Sequence, residues 1–411
     1  MPVTHEIQLE QLAATIKEDA SWSTGPIYVV CDVGGTNARV GFAQAAQQST
    51  NGLHIIYVRF KVSKRDIRQL LDFFDEVLQH LKSALSDRAA SFLRRIVSGA
   101  VSVPGPVTNG QVAGPFNNLK GIARLQDYPT ELFPKGRSAL LNDLEAGAYG
   151  VLALSNASML SRYFQVMWKG TQWDSLSGGK QLGNNIGNGR CMVVAPGTGI
   201  GTSLIHYQGL SDNYVVLPLE CCSLSMPWSG DVDELYTQTL AKSVASRSRV
   251  KGLDSVVAPI WEEAANGRAL AFNYAYERDG PAMSAPTKSA PEVAKLARAG
   301  HDPAAVAAMD RLYKNLIAFT AETTLQFLPL TCVLMGDSIV ANSFYFEKSE
   351  NIKGLQAHLH KYSTEHRRKL LNRTTFLRQV QSVNINLLGC LEFGAELSKP
   401  AEKPASTQSH F

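Results

Sequence analysis

The chain has 411 residues, 45% hydrophobic and 18% charged, with a formal net charge of +4. These values fit a globular protein of two or three domains and lack the basic excess that marks a nucleic-acid binder. No run is long and apolar enough to span a membrane, and residues 1–24 lack the zones of a secretory leader.

In chain order, IQLEQLAATIKE within residues 1–24 predicts a short helix ahead of the fold. IYVVCDVGGTNARVGFAQ then gives two β-rich segments joined by a glycine turn, and LHIIYVRFKV gives a third. DIRQLLDFFDEVLQHLKSAL has apolar residues at helical spacing, and IVSGAVSVPGPV returns to strand character. Near residue 140 the pattern restarts. SALLNDLEAGAYGVLAL reads as strand into helix, and CMVVAPGTGIGTSLIHY as strand, glycine turn, strand. Two similar hairpin units, Asp32–Val40 and Ala195–Leu204, predict two related α/β domains offering their turns to a shared cleft. Residues 169–190 and 279–291 read as loops or insertions. Ser289 and Glu292 have capping-box spacing, so a helix is expected at PEVAKLARAG. Residues 398–411 read as a disordered tail. The six cysteines fall mostly in apolar runs without a CxxC pair, which predicts buried, reduced thiols.

Four groups of residues carry chemistry. The first is Asp32, Gly34, Gly35, Thr36, Asn37 and Arg39. A glycine turn between strands can aim several backbone N–H groups at a phosphate, and Asp32 is placed to hold Mg²⁺ through water. An ordinary tight hairpin has the same outward signature. The second is Gly197, Thr198, Gly199 and Gly201. A dinucleotide fingerprint would open a helix, but TSLIHY is β-branched, so this turn should join two strands. No GxxxxGK[ST] string is present. The third is Asn142 and Asp143, a polar pair at a strand end. Asp143 is a candidate general base, and either residue could equally cap the following helix. The fourth is a scattered set suited to directed hydrogen bonds with a sugar: Asn117, Asn118, Glu220 and Glu262.

CDVGGTNARVGF, VPGPV, FNNLKG, LLNDLEAGAYG, APGTGIGTSL and MGDSIVANSF, in this order, resemble the glucokinase family of the actin-like ATPase and sugar kinase superfamily. The resemblance runs from about Ile27 to Leu397 and is nearest to kinetoplastid glucokinases. It implies two actin-like (ribonuclease H-like) α/β domains around an active-site cleft. The expected small domain is 25–142 plus 383–397, and the large one 143–382. It implies ATP and Mg²⁺ as ligands, with Asp32 on the metal side and Thr198 near the γ-phosphate. Gly336, Asp337 and Ser338 fall where the family contacts adenosine. Asn117, Asn142, Asp143, Glu220 and Glu262 fall where it binds glucose, with Asp143 on the catalytic base. Ser223 stands where many bacterial relatives have a sugar-contacting histidine, and Asn266-Gly267 replaces a serine-glycine string near the nucleotide. A kinase for another hexose and a non-catalytic sugar-sensing relative are the alternatives. The resemblance also implies a homodimer. The last residues, Ser409-His410-Phe411, are a loose variant of the SKL-type peroxisomal address, which with the kinetoplastid likeness implies glycosomal import through a peroxisomal-type receptor.

Overall fold

The computed structural model describes residues 4–44, 54–116, 119–172, 186, 189–209, 213–226, 232–248, 259–361 and 363–399. The chain forms two compact units, Met1–Ala157 with Val383–Phe411, and Ser158–Ser382.

The strands of the first unit are β1 (Thr4–Ile7), β2 (Ile27–Val33), β3 (Asn37–Gln44), β4 (His54–Lys61), β5 (Ile96–Val103), β6 (Val107–Thr108), β7 (Val112–Ala113), β8 (Ala123–Arg124) and β9 (Ser138–Asn142). The main sheet has the order β1-β4-β3-β2-β5-β9. β2, β3 and β4 are antiparallel neighbours, while β5 and β9 run parallel to β2. β2 is buried along its whole length, as its unbroken apolar run predicts for a strand covered on both faces. Alternation divides its side chains. Val29 and Cys31 join a core with Phe42, Phe74 and Phe92, to which the helix Gln69–Leu85 contributes Leu70, Phe73, Phe74, Val77, Leu78 and Leu81. On the other face Tyr28 approaches Ser398 and Asp32 meets Asn384 and Asn386, at opposite ends of the helix Ile385–Ser398.

That helix packs on the helix Asp143–Asn156 with almost no separation. A Cβ on Gly389 would lie 1.6 Å from the Ala146 carbonyl oxygen, and one on Gly150 would lie 2.1 Å from that of Ile385. The pair also half-buries carboxyls. Burial pushes Glu145, Glu392 and Glu396 above the ordinary carboxylate range, although Asn156 and Lys399 pull Glu392 back down. Native Glu392 therefore takes a proton before the unfolded chain does, so its ionisation weakens the fold as pH rises through the raised value. Glu392→Gln keeps an acceptor for the Asn156 amide, which donates at 2.7 Å. It should raise the melting temperature at pH 7.5. The gain should vanish at about pH 3, below the ordinary carboxylate range, where both states of the wild type are protonated.

The second unit has β10 (Phe164–Trp168), β11 (Arg190–Pro196), β12 (Ile200–Gln208), β13 (Asn213–Leu219), β14 (Thr331–Leu334) and β15 (Thr375–Gln379), in the order β10-β15-β14-β11-β12-β13. β11–β13 form an antiparallel meander, and β14 and β15 run parallel to β11. This repeats the plan of β2–β5 and β9, as the two glycine hairpins predicted. The helix Pro303–Phe327 runs through this unit's core, burying Leu312, Tyr313, Leu316 and Phe319. The expected capping box holds: Ser289 N–H donates to Glu292 Oε2 at 2.7 Å ahead of the helix Ala290–Ala299. All six cysteines are buried and unpaired.

Two differences from the sequence reading concern boundaries. The N-terminal segment is more than a helix ahead of the fold, because β1 pairs in parallel with β4. The helix Asp143–Asn156, expected to open the second domain, belongs to the first unit, held there by the close packing at Gly150 and Gly389. Most of the 169–190 insertion and residues 400–411 of the tail lie outside the described residues.

Candidate active site

In the first unit, the carboxyl ends of the parallel strands β2, β5 and β9 lie along one sheet edge, the usual ligand edge of an open α/β sheet. β2 ends in the turn at Gly34–Thr36, closed by Gly34 N–H donating to Asn37 O at 2.8 Å. Neither central residue of the turn, Gly35 or Thr36, has a left-handed φ, so the turn is not the primed hairpin type that requires one there. Asp32, only 8% exposed, accepts from Arg39 Nη1 at 2.7 Å and from the Asn384 and Asn386 amides at 3.0 Å each. Both its oxygens are thus engaged. A carboxylate has about four acceptor sites, which leaves room for a water-mediated contact with a hard cation but not for a cage of direct ligands.

Asn142 ends β9 and caps the next helix. Its Oδ1 accepts from Leu144 N–H at 2.9 Å, its own N–H donates to Glu145 Oε2 at 3.3 Å, and its Nδ2 donates to Gly105 O at 3.0 Å. The capping role is therefore real, and one amide hydrogen remains available for a ligand. Asp143 is the first helical residue, half-buried, with Oδ1 accepting from Leu144 N–H at 2.9 Å. The positive end of a helix favours an anionic side chain there, the form a proton acceptor needs.

In the second unit, the Gly197–Gly199 turn joins β11 to β12 as strand to strand, which removes the dinucleotide alternative. Gly197 N–H donates to Gly199 O, and Gly267 N–H donates to Gly197 O, both at 2.7 Å. Gly336 follows β14 with φ 114°, a conformation that favours glycine. Its N–H donates to Gln379 Oε1 at 2.8 Å, and Ser338 Oγ donates to Pro196 O at 2.5 Å. The Gly336-Asp337-Ser338 segment is thereby pinned beside the second glycine turn.

Glu262 is seated on that turn. A Cβ on Gly199 would lie 2.2 Å from Glu262 Oε1. Burial pushes its carboxyl above the ordinary range, Arg268 opposes the shift, and Glu263 and Glu220 add to it. Burial and the charges of Glu262 and Glu220 also push the Cys222 thiol up to about 11. Glu220, Cys222 and Glu262 are therefore neighbours. Ser223 is exposed, with its N–H donating to Glu220 O at 3.1 Å. Asn117 and Asn118 lie outside the described residues.

Sequence reasoning missed Asn384, Asn386 and Gln379. Asn384 carries a readable cap signal, its Oδ1 accepting from Leu387 N–H at 2.9 Å. Nothing in the local sequence points it at Asp32. Gln379 is 1% exposed at the end of an apolar strand, and its role depends on a loop that a different strand supplies.

The glucokinase family model matches residues 29–358. A crystal structure of Leishmania braziliensis glucokinase is 74% identical, with a TM-score of 0.88, covering 96% of this chain and 99% of that one. A glucokinase from Balamuthia mandrillaris, solved with glucose, is 22% identical with a TM-score of 0.75 over 94% of this chain and 98% of its own, a likeness of fold. A probable glucokinase 2 of Trichomonas vaginalis is 28% identical over 374 residues, 89% of this chain and 91% of its own length. The motifs, the duplicated actin-like α/β architecture and these likenesses agree: the chain belongs to the glucokinase family, whose members phosphorylate glucose.

Proposed function

We propose that Asp143 is the general base in transfer of the γ-phosphoryl group from ATP to the 6-hydroxyl of glucose, the entry step of glycolysis. The observation that carries this reading is its position. Asp143 opens a helix at the carboxyl end of β9, on the same sheet edge as the Gly34–Thr36 turn. Asp143 accepts the 6-hydroxyl proton as the oxygen attacks the γ-phosphorus. The bond to the β-phosphate oxygen breaks, and ADP leaves with the electron pair. Such transfer depends mainly on positioning and electrostatics. The reading gives the sugar hydroxyls to Asn117, Asn142, Glu220, Glu262 and Ser223. It gives the phosphates to the backbone of Gly34–Asn37 and Gly197–Gly199 with Arg39, and adenosine to Gly336, Asp337 and Ser338. The acceptor capacity left on Asp32 fits Mg²⁺ held through water, and bound Mg²⁺ would offset charge on the phosphates.

A coupled assay across glucose, mannose, glucosamine and fructose, with ATP, ADP and polyphosphate as donors, tests the assignment. Glucose with ATP should give the highest kcat/KM, and a preference for another sugar or donor would replace it. Gly199→Ala should raise the KM for glucose about 10-fold with little change in melting temperature, because the new methyl group displaces the Glu262 carboxylate. The reading also includes a homodimer, checked by light scattering in solution. It takes Ser409-His410-Phe411 as a glycosomal address, supported by the kinetoplastid likeness. Deleting that tripeptide should redistribute the protein to the cytosol, and unchanged location would remove the address.

A further inference from the structure

We infer that Arg268 binds the phosphates of the nucleotide, an inference that rests on the ATP-dependent reading above. The residue lies in the first turn of the 13-residue helix Gly267–Asp279. This helix end is locked to the second glycine turn through Gly267 N–H and Gly197 O, so close that a Cβ on Gly267 would sit 3.0 Å from that oxygen. The helix therefore directs its partial positive end at the Gly197–Gly199 segment, as anion-binding helices do.

Two donors at this helix end lack acceptors among the described residues. Asn266 caps the helix with Oδ1, which accepts from Ala269 N–H at 2.9 Å, but its Nδ2 is buried without a partner, and the residue is 1% exposed. A buried amide donor left this way is costly unless a ligand or water supplies the acceptor. Arg268 is exposed and makes no hydrogen bond or ion pair with a described residue. It still acts on Glu262, and it is the cation among the charges that set that carboxyl's ionisation. Glu262 lies on Gly199, so the guanidinium belongs to the neighbourhood of the turn. A free guanidinium, an unanswered amide and a helix N-terminus together offer donors and positive charge without acceptors. The ligand that complements them is an anion with several oxygens, and a guanidinium matches phosphate in a bidentate fork.

Titration calorimetry with a non-hydrolysable ATP analogue and with AMP, on the wild type, Arg268→Ala and Arg268→Lys, tests the inference. Arg268→Ala should weaken the ATP analogue about 10- to 100-fold while AMP affinity stays within about 2-fold. Arg268→Lys should recover part of the loss, since it restores charge but not the planar fork. In turnover, the KM for ATP should rise and that for glucose should not. Unchanged affinity for the ATP analogue in Arg268→Ala, an equal loss for AMP, or an effect on the glucose KM alone would each overturn the assignment. Failure of the wild type to phosphorylate glucose would defeat the kinase reading instead, and the comparison of ATP analogue with AMP would still decide the role of Arg268.

Discussion

Replacing Asp143 by Asn should lower kcat by about 10²- to 10⁴-fold, equivalent to roughly 3–5 kcal/mol of transition-state stabilisation. The side chain keeps its size, and an amide oxygen can still accept from Leu144 N–H, the contact that Asp143 Oδ1 makes at 2.9 Å. The helix cap belongs to Asn142, so the fold and the melting temperature should survive. The KM for glucose should change little, because a neutral amide still offers hydrogen bonds to a hydroxyl. Loss of kcat with binding retained is what distinguishes a proton acceptor from a sugar contact. Near-normal turnover in Asp143→Asn would remove the residue from that role.

The largest stability effect is expected at Gly389. An added methyl would run into the backbone of the facing helix, 1.6 Å from Ala146 O and 2.8 Å from Gly150 N. Backbone cannot swing aside as a side chain end can, so the helices Ile385–Ser398 and Asp143–Asn156 would have to separate. Overpacking of this kind costs about 3 kcal/mol or more, and for a unit of this size the melting temperature should fall by about 5–10 °C. Asn384 and Asn386, which hold Asp32, and Asp143 itself stand at the ends of these helices, so activity should fall with stability. Gly354 is the control. It lies in the helix Ser349–Leu359 with open space where a Cβ would go. Gly354→Ala should therefore stabilise by about 0.5–1 kcal/mol through helix propensity. A neutral Gly389→Ala would show that the two helices are not packed as described.

Much of the fold could be read along the chain because its signals are local. A glycine turn between two β-rich runs is self-contained, so both hairpins were predictable, as was the strand-to-strand character of Gly197–Gly199. The Ser289–Glu292 cap needs only three residues of separation. β1 could not be read this way, since THEI has little strand character and its order comes from the neighbouring β4. The affiliation of the helix Asp143–Asn156 was hidden for a similar reason. Its partner begins at Ile385, and the glycines that permit the contact are ordinary in sequence.

The site divides in the same way. Asp32, the two turns and the Asn142–Asp143 pair announce themselves by residue type and position. The anchoring of Asp32 by Asn384 and Asn386 spans more than 350 residues and has no local signature. The seating of Glu262 on Gly199 is equally invisible in the sequence, yet it gives Glu262 a definite place, where residue type offered only one acidic side chain among many. Ser223 and Asn266, the two departures from bacterial relatives, have different outcomes. Ser223 is an exposed neighbour of Glu220, whereas Asn266 is a buried cap beside the second turn.

The most direct test of the central claim is phosphorus NMR of the enzyme with Mg²⁺ and ATP, with and without glucose, in wild type and Asp143→Asn. The wild type should form one glucose 6-phosphate for each ATP consumed. It should release little inorganic phosphate when sugar is absent, and Asp143→Asn should slow sugar phosphate formation at least about 100-fold. Phosphate appearing on another hydroxyl, ATP consumed without sugar phosphate, or an Asp143→Asn enzyme as fast as the wild type would contradict it.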